Sequence, residues 1–161
     1  KNTVEEYLSY QPEPYELLID SQTIKEKAFL VACGNASQYG NNAFIAPHAN
    51  IQDGKMDITI LSPFGPLDIA PLAIQLFTKQ IDRNSKIKTF KGKEVTIIRQ
   101  NPGVMHLDGE PIMADSRIEI SVLPKSLNVL TPETVSFTEE VQNLFGEVTR
   151  FFDKKLPYIF R

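Results

Sequence analysis

Polar and apolar residues alternate with a period of two along Lys55-Met56-Asp57-Ile58-Thr59-Ile60-Leu61, the pattern of a strand with one buried face. The same reading predicts strands at residues 15–19 and 24–32, with Asp20-Ser21-Gln22 as the turn between them. Further on it predicts short strands at residues 87–90, 94–99, 104–107, 117–123 and 127–130. These are punctuated by Gly92, Asn101-Pro102-Gly103, Asp108-Gly109 and Pro124. Short strands separated by turn residues argue for an antiparallel sandwich or barrel rather than alternating βα units.

Three helical stretches interrupt that pattern. Residues 3–10 suit a short helix, stopped by Pro12 and Pro14. Residues 69–80 suit a second, with Asp68 as its N-cap and Pro71 in the first turn, where amides have no intrahelical partner. Leu72, Ala73, Leu76 and Phe77 make its apolar face. In the third, Ser136 and Glu139 fit a capping box, and Val141, Leu144, Phe145, Val148, Phe151 and Phe152 follow on one stripe. At about 1.5–3 kcal/mol per fully buried large side chain, that stripe must pack on this domain, on a partner domain or on another copy. The expected fold is therefore mainly β (a β-rich α+β class): an antiparallel, sandwich-like domain with one internal helix and an amphipathic C-terminal helix. We expect one domain over residues 1–161, with residues 133–161 as a helical appendage.

Composition narrows this picture. A length of 161 residues suffices for one domain with its own core, and 42% hydrophobic with 23% charged residues is globular rather than disordered. A net charge of −3 and a pI of about 5.4 exclude a sequence-independent nucleic-acid binder. The basic stretch, Lys79, Arg83, Lys86, Lys88, Lys91, Lys93 and Arg99, reads first as a solvated helix end and strand face. Its sharper reading is a patch facing anionic headgroups or nucleotide phosphates. Cys33 is the only cysteine, so neither an intrachain disulfide nor a cysteine metal cage can form, and its apolar setting suits a core residue. A cytosolic compartment fits. The most apolar long window, residues 58–77, is broken by Pro63, Pro66, Asp68 and Pro71, so no membrane span is expected. A start on Lys1 leads us to expect a processed product or a piece of something longer.

The residues able to do chemistry fall in residues 34–58 and 106–111. Asp108-Gly109 is first of all a hairpin signal. Its functional reading puts Asp108 at the tip as a general base, with Glu110 beside it as a second carboxylate, because a base must reach the hydroxyl it deprotonates. Asp53-Gly54 has the same double reading. It is a turn, or a carboxylate with backbone carbonyls around a hard cation such as Mg²⁺ or Ca²⁺. His48 and His106 stand without catalytic partners in the sequence and read as ordinary histidines. Gly34-Asn35 and Gly40-Asn41-Asn42 make an amide-rich loop, but neither GxxxxGK[ST] nor GxGxxG is present, so the chain holds no phosphate cradle for ATP.

Asn35, Gly40, Ile45-Ala46-Pro47, Ala49, Asp53-Gly54 and Asp57, then Asp108 to Pro111, then Leu123-Pro124 and Leu127-Asn128-Val129-Leu130, occur in a telling order. In that order and spacing the sequence resembles the diacylglycerol kinase catalytic family, which includes bacterial soluble lipid kinases and the sphingosine and ceramide kinases. The resemblance runs from about Tyr15 to Thr131. It implies a two-lobe lipid kinase with the active site between the lobes, of which this chain is the C-terminal lobe, a β-sandwich of the lipid kinase/NAD kinase type. The N-terminal lobe, with the Gly-Gly-Asp-Gly-Thr loop that binds ATP, is not in this sequence. The resemblance further implies Asp108 as the proton acceptor, Glu110 as its support, and a structural Mg²⁺ site of Asp53 with backbone oxygens of Asn50 and Lys55. The expected reaction is transfer of the γ-phosphoryl group of ATP, with Mg²⁺, to a diacylglycerol-like lipid hydroxyl at a membrane surface. The protein would be cytoplasmic, with peripheral membrane contact. The alternatives are a lobe of a NAD kinase-like enzyme and a non-catalytic sandwich that binds without turnover. The aromatic stripe near the C-terminus leaves room for self-association.

Overall fold

Leu17, Ile58, Ile60 and Val95 are withdrawn from solvent almost completely, although they come from strands far apart in the chain. A computed structural model of the protein describes residues 11–130 and shows how they meet. The strands are β1 (Glu13–Ile19), β2 (Gln22–Ala28), β3 (Leu30–Gly34), β4 (Met56–Leu61), β5 (Ile87–Gly92), β6 (Glu94–Arg99), β7 (Gly103–Leu107), β8 (Glu110–Ala114) and β9 (Arg117–Ser121). A four-stranded sheet runs β2-β1-β6-β9, a three-stranded sheet runs β3-β4-β5, and β7-β8 form a separate two-stranded ribbon. Every pair is antiparallel. The two larger sheets bury their facing sides on each other. Leu17, Ile19, Val95 and Ile97 come from one, and Met56, Ile58 and Ile60 from the other. Each such side chain stabilises the sandwich by about 1.5–3 kcal/mol relative to exposure.

The protein is therefore mainly β and antiparallel, as the alternation predicts. The expected strand over residues 24–32 is, however, two strands in different sheets. The reason is a slip of phase. Ile24 and Ala28 face the core from β2, whereas Val31 and Cys33 face it from β3, so even positions give way to odd ones around Phe29. There the chain changes sheets, with the Phe29 amide donating to the Leu61 carbonyl at 2.7 Å and its ring meeting Phe64 edge-on. Strand β8 is an addition to the strands that the sequence predicts, and it contains Pro111, a residue that central strands exclude. A two-stranded ribbon has free edges, and there a proline is tolerated.

The single α-helix among the described residues, α1 (Ile69–Phe77), follows a 3₁₀ turn over Pro66–Asp68. Asp68 does not cap α1 with its side chain; its Oδ2 accepts from the Gly65 amide at 2.8 Å and closes the 3₁₀ turn instead. The buried face of α1 is narrower than the sequence predicts. Leu72 and Leu76 pack with Ile81 and Ile87, while Ala73 and Phe77 stay exposed. Residues 127–130 are exposed and form no strand, which corrects that expectation. The chain divides into two compact units, Lys1–Ser126 and Leu127–Arg161. The expected helices at residues 3–10 and from Ser136 onward lie outside the described residues. Among the described residues no helix is long and apolar enough to cross a membrane.

At Gly92, the last residue of β5, the two larger sheets come close together. A Cβ at this position would stand 2.5 Å from Cγ2 of the buried Ile19. A β-branched core side chain cannot swing away freely, so Gly92→Ala is expected to cost about 1–3 kcal/mol through overpacking. Urea unfolding measures this, and an unchanged midpoint would mean the sheets do not touch there.

Candidate functional site

The β7-β8 ribbon turns at Asp108-Gly109, with Leu107 paired to Glu110 on either side. Asp108 has φ 49° and Gly109 φ 92°. Two central residues at positive φ make a type I′ turn, whose twist matches that of the strands and for which Asp-Gly is a favoured pair. Asp108 and Glu110 are both exposed, and among the described residues their carboxylates have no hydrogen bond or ion pair. The same ribbon carries exposed apolar side chains, Val104, Leu107, Ile112 and Met113. The ribbon thus presents an unengaged acidic tip on an apolar stem.

The foot of this ribbon is fixed by Arg99, at the end of β6. Its Nη2 donates to the carbonyls of Gly103 and Ala114, both at 2.6 Å, and its Nε to that of Asp115 at 3.2 Å. The Arg99 backbone amide adds a bond to the Ser116 carbonyl at 2.8 Å. One guanidinium therefore ties both strands of the ribbon to the four-stranded sheet, with charge-assisted bonds stronger than neutral ones. Gly103 leaves room for it, since a Cβ there would stand 3.4 Å from Nη1.

The second candidate cluster lies on the outer side of the three-stranded sheet, beneath residues 35–55. Phe44 and Ala46 of that segment are buried, and the Ile45 carbonyl accepts from the Thr59 hydroxyl at 2.8 Å. The tight turn at Gly40-Asn41-Asn42 holds Asn41 at φ 46° and Asn42 at φ 63°. Asparagine tolerates the left-handed region better than most residues, so this turn closes without further glycines.

Asn50, Asp53 and Lys55 belong to one turn. Asn50 accepts from the Asp53 amide at 3.3 Å, and Asp53 Oδ1 accepts from the Lys55 amide at 2.8 Å. Asp53 Oδ2 accepts from Lys91 Nζ at 3.1 Å. Lys91 also donates to the His48 carbonyl at 3.1 Å and stands 3.2 Å from Oδ2 of Asp57. The Lys55 amide, and then Lys91, hold the Asp53 carboxyl below its usual range, and Asp53 in turn raises the Lys91 ammonium. Both oxygens of the expected metal-binding carboxylate are engaged, one of them by a cation. The expected donors Asn50, Asp53 and Lys55 therefore do not fit an open divalent site as they stand.

Other sequence readings resolve simply. The Cys33 thiol is pushed up to about 12 by burial, which suits a core residue and not a nucleophile. His48 does find a carboxylate, Asp82, at 3.2 Å, but its side chain is exposed. The basic stretch is largely committed within the domain. Lys86 faces Asp68, Lys88 pairs with Glu26, Lys91 fills the cluster above, and Arg99 clasps the ribbon. Sequence reasoning missed Lys91, Asp57 and Arg99 as organising residues. The only signal was their place in a charged, alternating stretch, and it acquires meaning once Asp57 and Lys91 are known to lie opposite each other on β4 and β5.

Residues 1–131 match the family described as the YegS C-terminal NAD kinase beta sandwich-like domain. A "Probable lipid kinase YegS-like" protein of Shewanella frigidimarina is 28% identical over 125 residues, covering 78% of this chain and 40% of that protein. A "Diacylglycerol kinase" of Mycobacterium tuberculosis is 29% identical over 127 residues, covering 76% and 39%. The crystal structure of a diacylglycerol kinase from Bacillus anthracis superposes with a TM-score of 0.59 at 22% identity, covering 76% of this chain and 44% of that one. The chain thus spans about 40% of the length of these two curated relatives.

The clasp at Arg99 has a measurable consequence. A hydrogen bond to a charged group is worth about 1.5–3 kcal/mol, and a tenfold change in an opening equilibrium is about 1.4 kcal/mol. Arg99→Ala is expected to raise amide exchange across residues 103–114 by tenfold or more, with less effect on β1. Arg99→Lys should fall between, because an ammonium cannot fork to both strands. Equal exchange in all three proteins would show that the ribbon is held by something else.

Proposed function

The chain belongs to the YegS C-terminal NAD kinase beta sandwich-like domain family, and from that membership we propose that it is the second lobe of an ATP-dependent lipid kinase. In this reading the nucleotide, as Mg·ATP, is held by a lobe outside this chain, and the present lobe supplies the acceptor side of the reaction. The observation that carries it is Asp108, an exposed carboxylate at the apex of a clasped type I′ hairpin. Asp108 accepts the proton of the lipid hydroxyl. The freed oxygen attacks the γ-phosphorus in line as the bond to the bridging oxygen breaks, leaving ADP. Glu110 keeps the tip electronegative. Most of the acceleration in such a transfer comes from positioning and charge neutralisation.

Two features support a lipid rather than a soluble acceptor. The relatives above are named lipid and diacylglycerol kinases. The ribbon that carries the carboxylate also bears exposed apolar side chains, which suits an acceptor whose hydroxyl is borne on acyl chains. Substrate would then be met at a membrane surface, with the protein cytoplasmic and in peripheral contact. The second reading, a NAD kinase-like lobe, is favoured by the description of the matching family alone. A phosphorylation assay offering diacylglycerol and NAD to the full-length protein separates the two.

In the full-length protein, Asp108→Asn should remove nearly all turnover while leaving the fold intact by circular dichroism. General-base catalysis is worth about 10²–10⁴-fold. Retention of more than about a tenth of the rate would remove Asp108 from that role and favour a sandwich that binds without catalysing. The present chain by itself should transfer no phosphoryl group from ATP, which a radiolabelled-ATP assay with the purified chain reads directly.

A further inference from the structure

We infer that the Lys91 ammonium is a built-in cation, filling an oxygen cradle made by the His48 carbonyl, Asp53 and Asp57, so that this part of the domain is held together without a divalent metal. The three oxygens come from separate stretches: a covering loop, the Asp53-Gly54 turn and the central strand β4. They converge on one nitrogen at 3.1, 3.1 and 3.2 Å. An ammonium carries three donors and binds oxygens at about 2.7–3.2 Å, whereas Mg²⁺ and Ca²⁺ need six or more oxygens at roughly 2.0–2.6 Å. Both oxygens of Asp53 already accept, Oδ1 from the Lys55 amide and Oδ2 from Lys91.

Asp57 gives the stronger argument. It is 92% buried by its 8% exposure, and its Oδ2 has no hydrogen-bond partner of its own. What neutralises it is the charge of Lys91, the residue directly opposite on β5. A buried carboxylate with no counter-charge is strongly unfavourable. The cradle thus requires a cation, and the chain supplies one on its own tether, which also ties the covering loop to the sheet. This inference does not depend on the proposed reaction, and it departs from the structural Mg²⁺ that the family resemblance implies.

Thermal unfolding of the protein, followed with EDTA and with millimolar Mg²⁺ or Ca²⁺ at matched ionic strength, tests it. The unaltered protein should melt at the same temperature in all three. Lys91→Met keeps the aliphatic stem and removes the charge. In EDTA it should melt about 4–8 °C lower, and a divalent ion should restore most of the loss. Adding Asp53→Asn to that variant should abolish the restoration. If Lys91→Met does not fold, Lys91→Gln carries the same comparison. A fall in the melting temperature of the unaltered protein with EDTA, or its rise with either ion, would overturn the inference. So would a Lys91 variant that melts normally in EDTA or ignores both ions.

Discussion

Strand β4 is buried on both sides, and most of the domain follows from how its two faces are satisfied. Met56, Ile58 and Ile60 point into the sandwich, where water is absent and packing suffices. Asp57 and Thr59 point the other way, and a buried polar group costs free energy unless it is paired. Thr59 finds the Ile45 carbonyl and Asp57 finds Lys91. Those two partners in effect dictate that residues 35–55 fold down over the sheet. An alternating strand that looks half-exposed in sequence is instead the middle layer of three.

The two Asp-Gly turns show how the same dipeptide reaches opposite ends. At Asp53-Gly54 the carboxylate turns back on its own backbone and on a lysine, which engages both of its oxygens. At Asp108-Gly109 the aspartate itself takes the left-handed conformation, its carboxylate makes no bond among the described residues, and a guanidinium at the far end of the ribbon secures the strands that carry it. One aspartate is spent on structure and the other stays exposed, with no partner among the described residues. Preorganisation of this kind, a free acid on a fixed stem, is what a positioned proton acceptor requires.

Arginine and lysine also divide the work according to shape. Arg99 presents a planar fork to carbonyls on both strands of the ribbon, which suits several acceptors of partial charge. Lys91 offers a compact charge on a flexible stem to two carboxylates and one carbonyl. Exchanging the two would leave the ribbon half-tied and the cradle overfilled. The basic stretch between α1 and β7, which reads first as a solvated helix end and strand face, stays at the surface, yet Lys86, Lys88, Lys91 and Arg99 each find partners within the domain.

The amino-acid sequence alone was enough for the antiparallel strands, the two Asp-Gly turns, the half-buried Cys33 packed against the core and the family likeness, because period-two alternation and turn chemistry are local and need no partner strand. It was not enough for the split of residues 24–32 between two sheets, for the strand through Pro111, or for the pairing of Asp57 with Lys91. Each of these depends on which strand lies beside which, and that is settled by long-range packing between segments dozens of residues apart. Asp53 and Asp108 look alike as letters, and only their surroundings in three dimensions make one a strut and leave the other exposed at a hairpin tip.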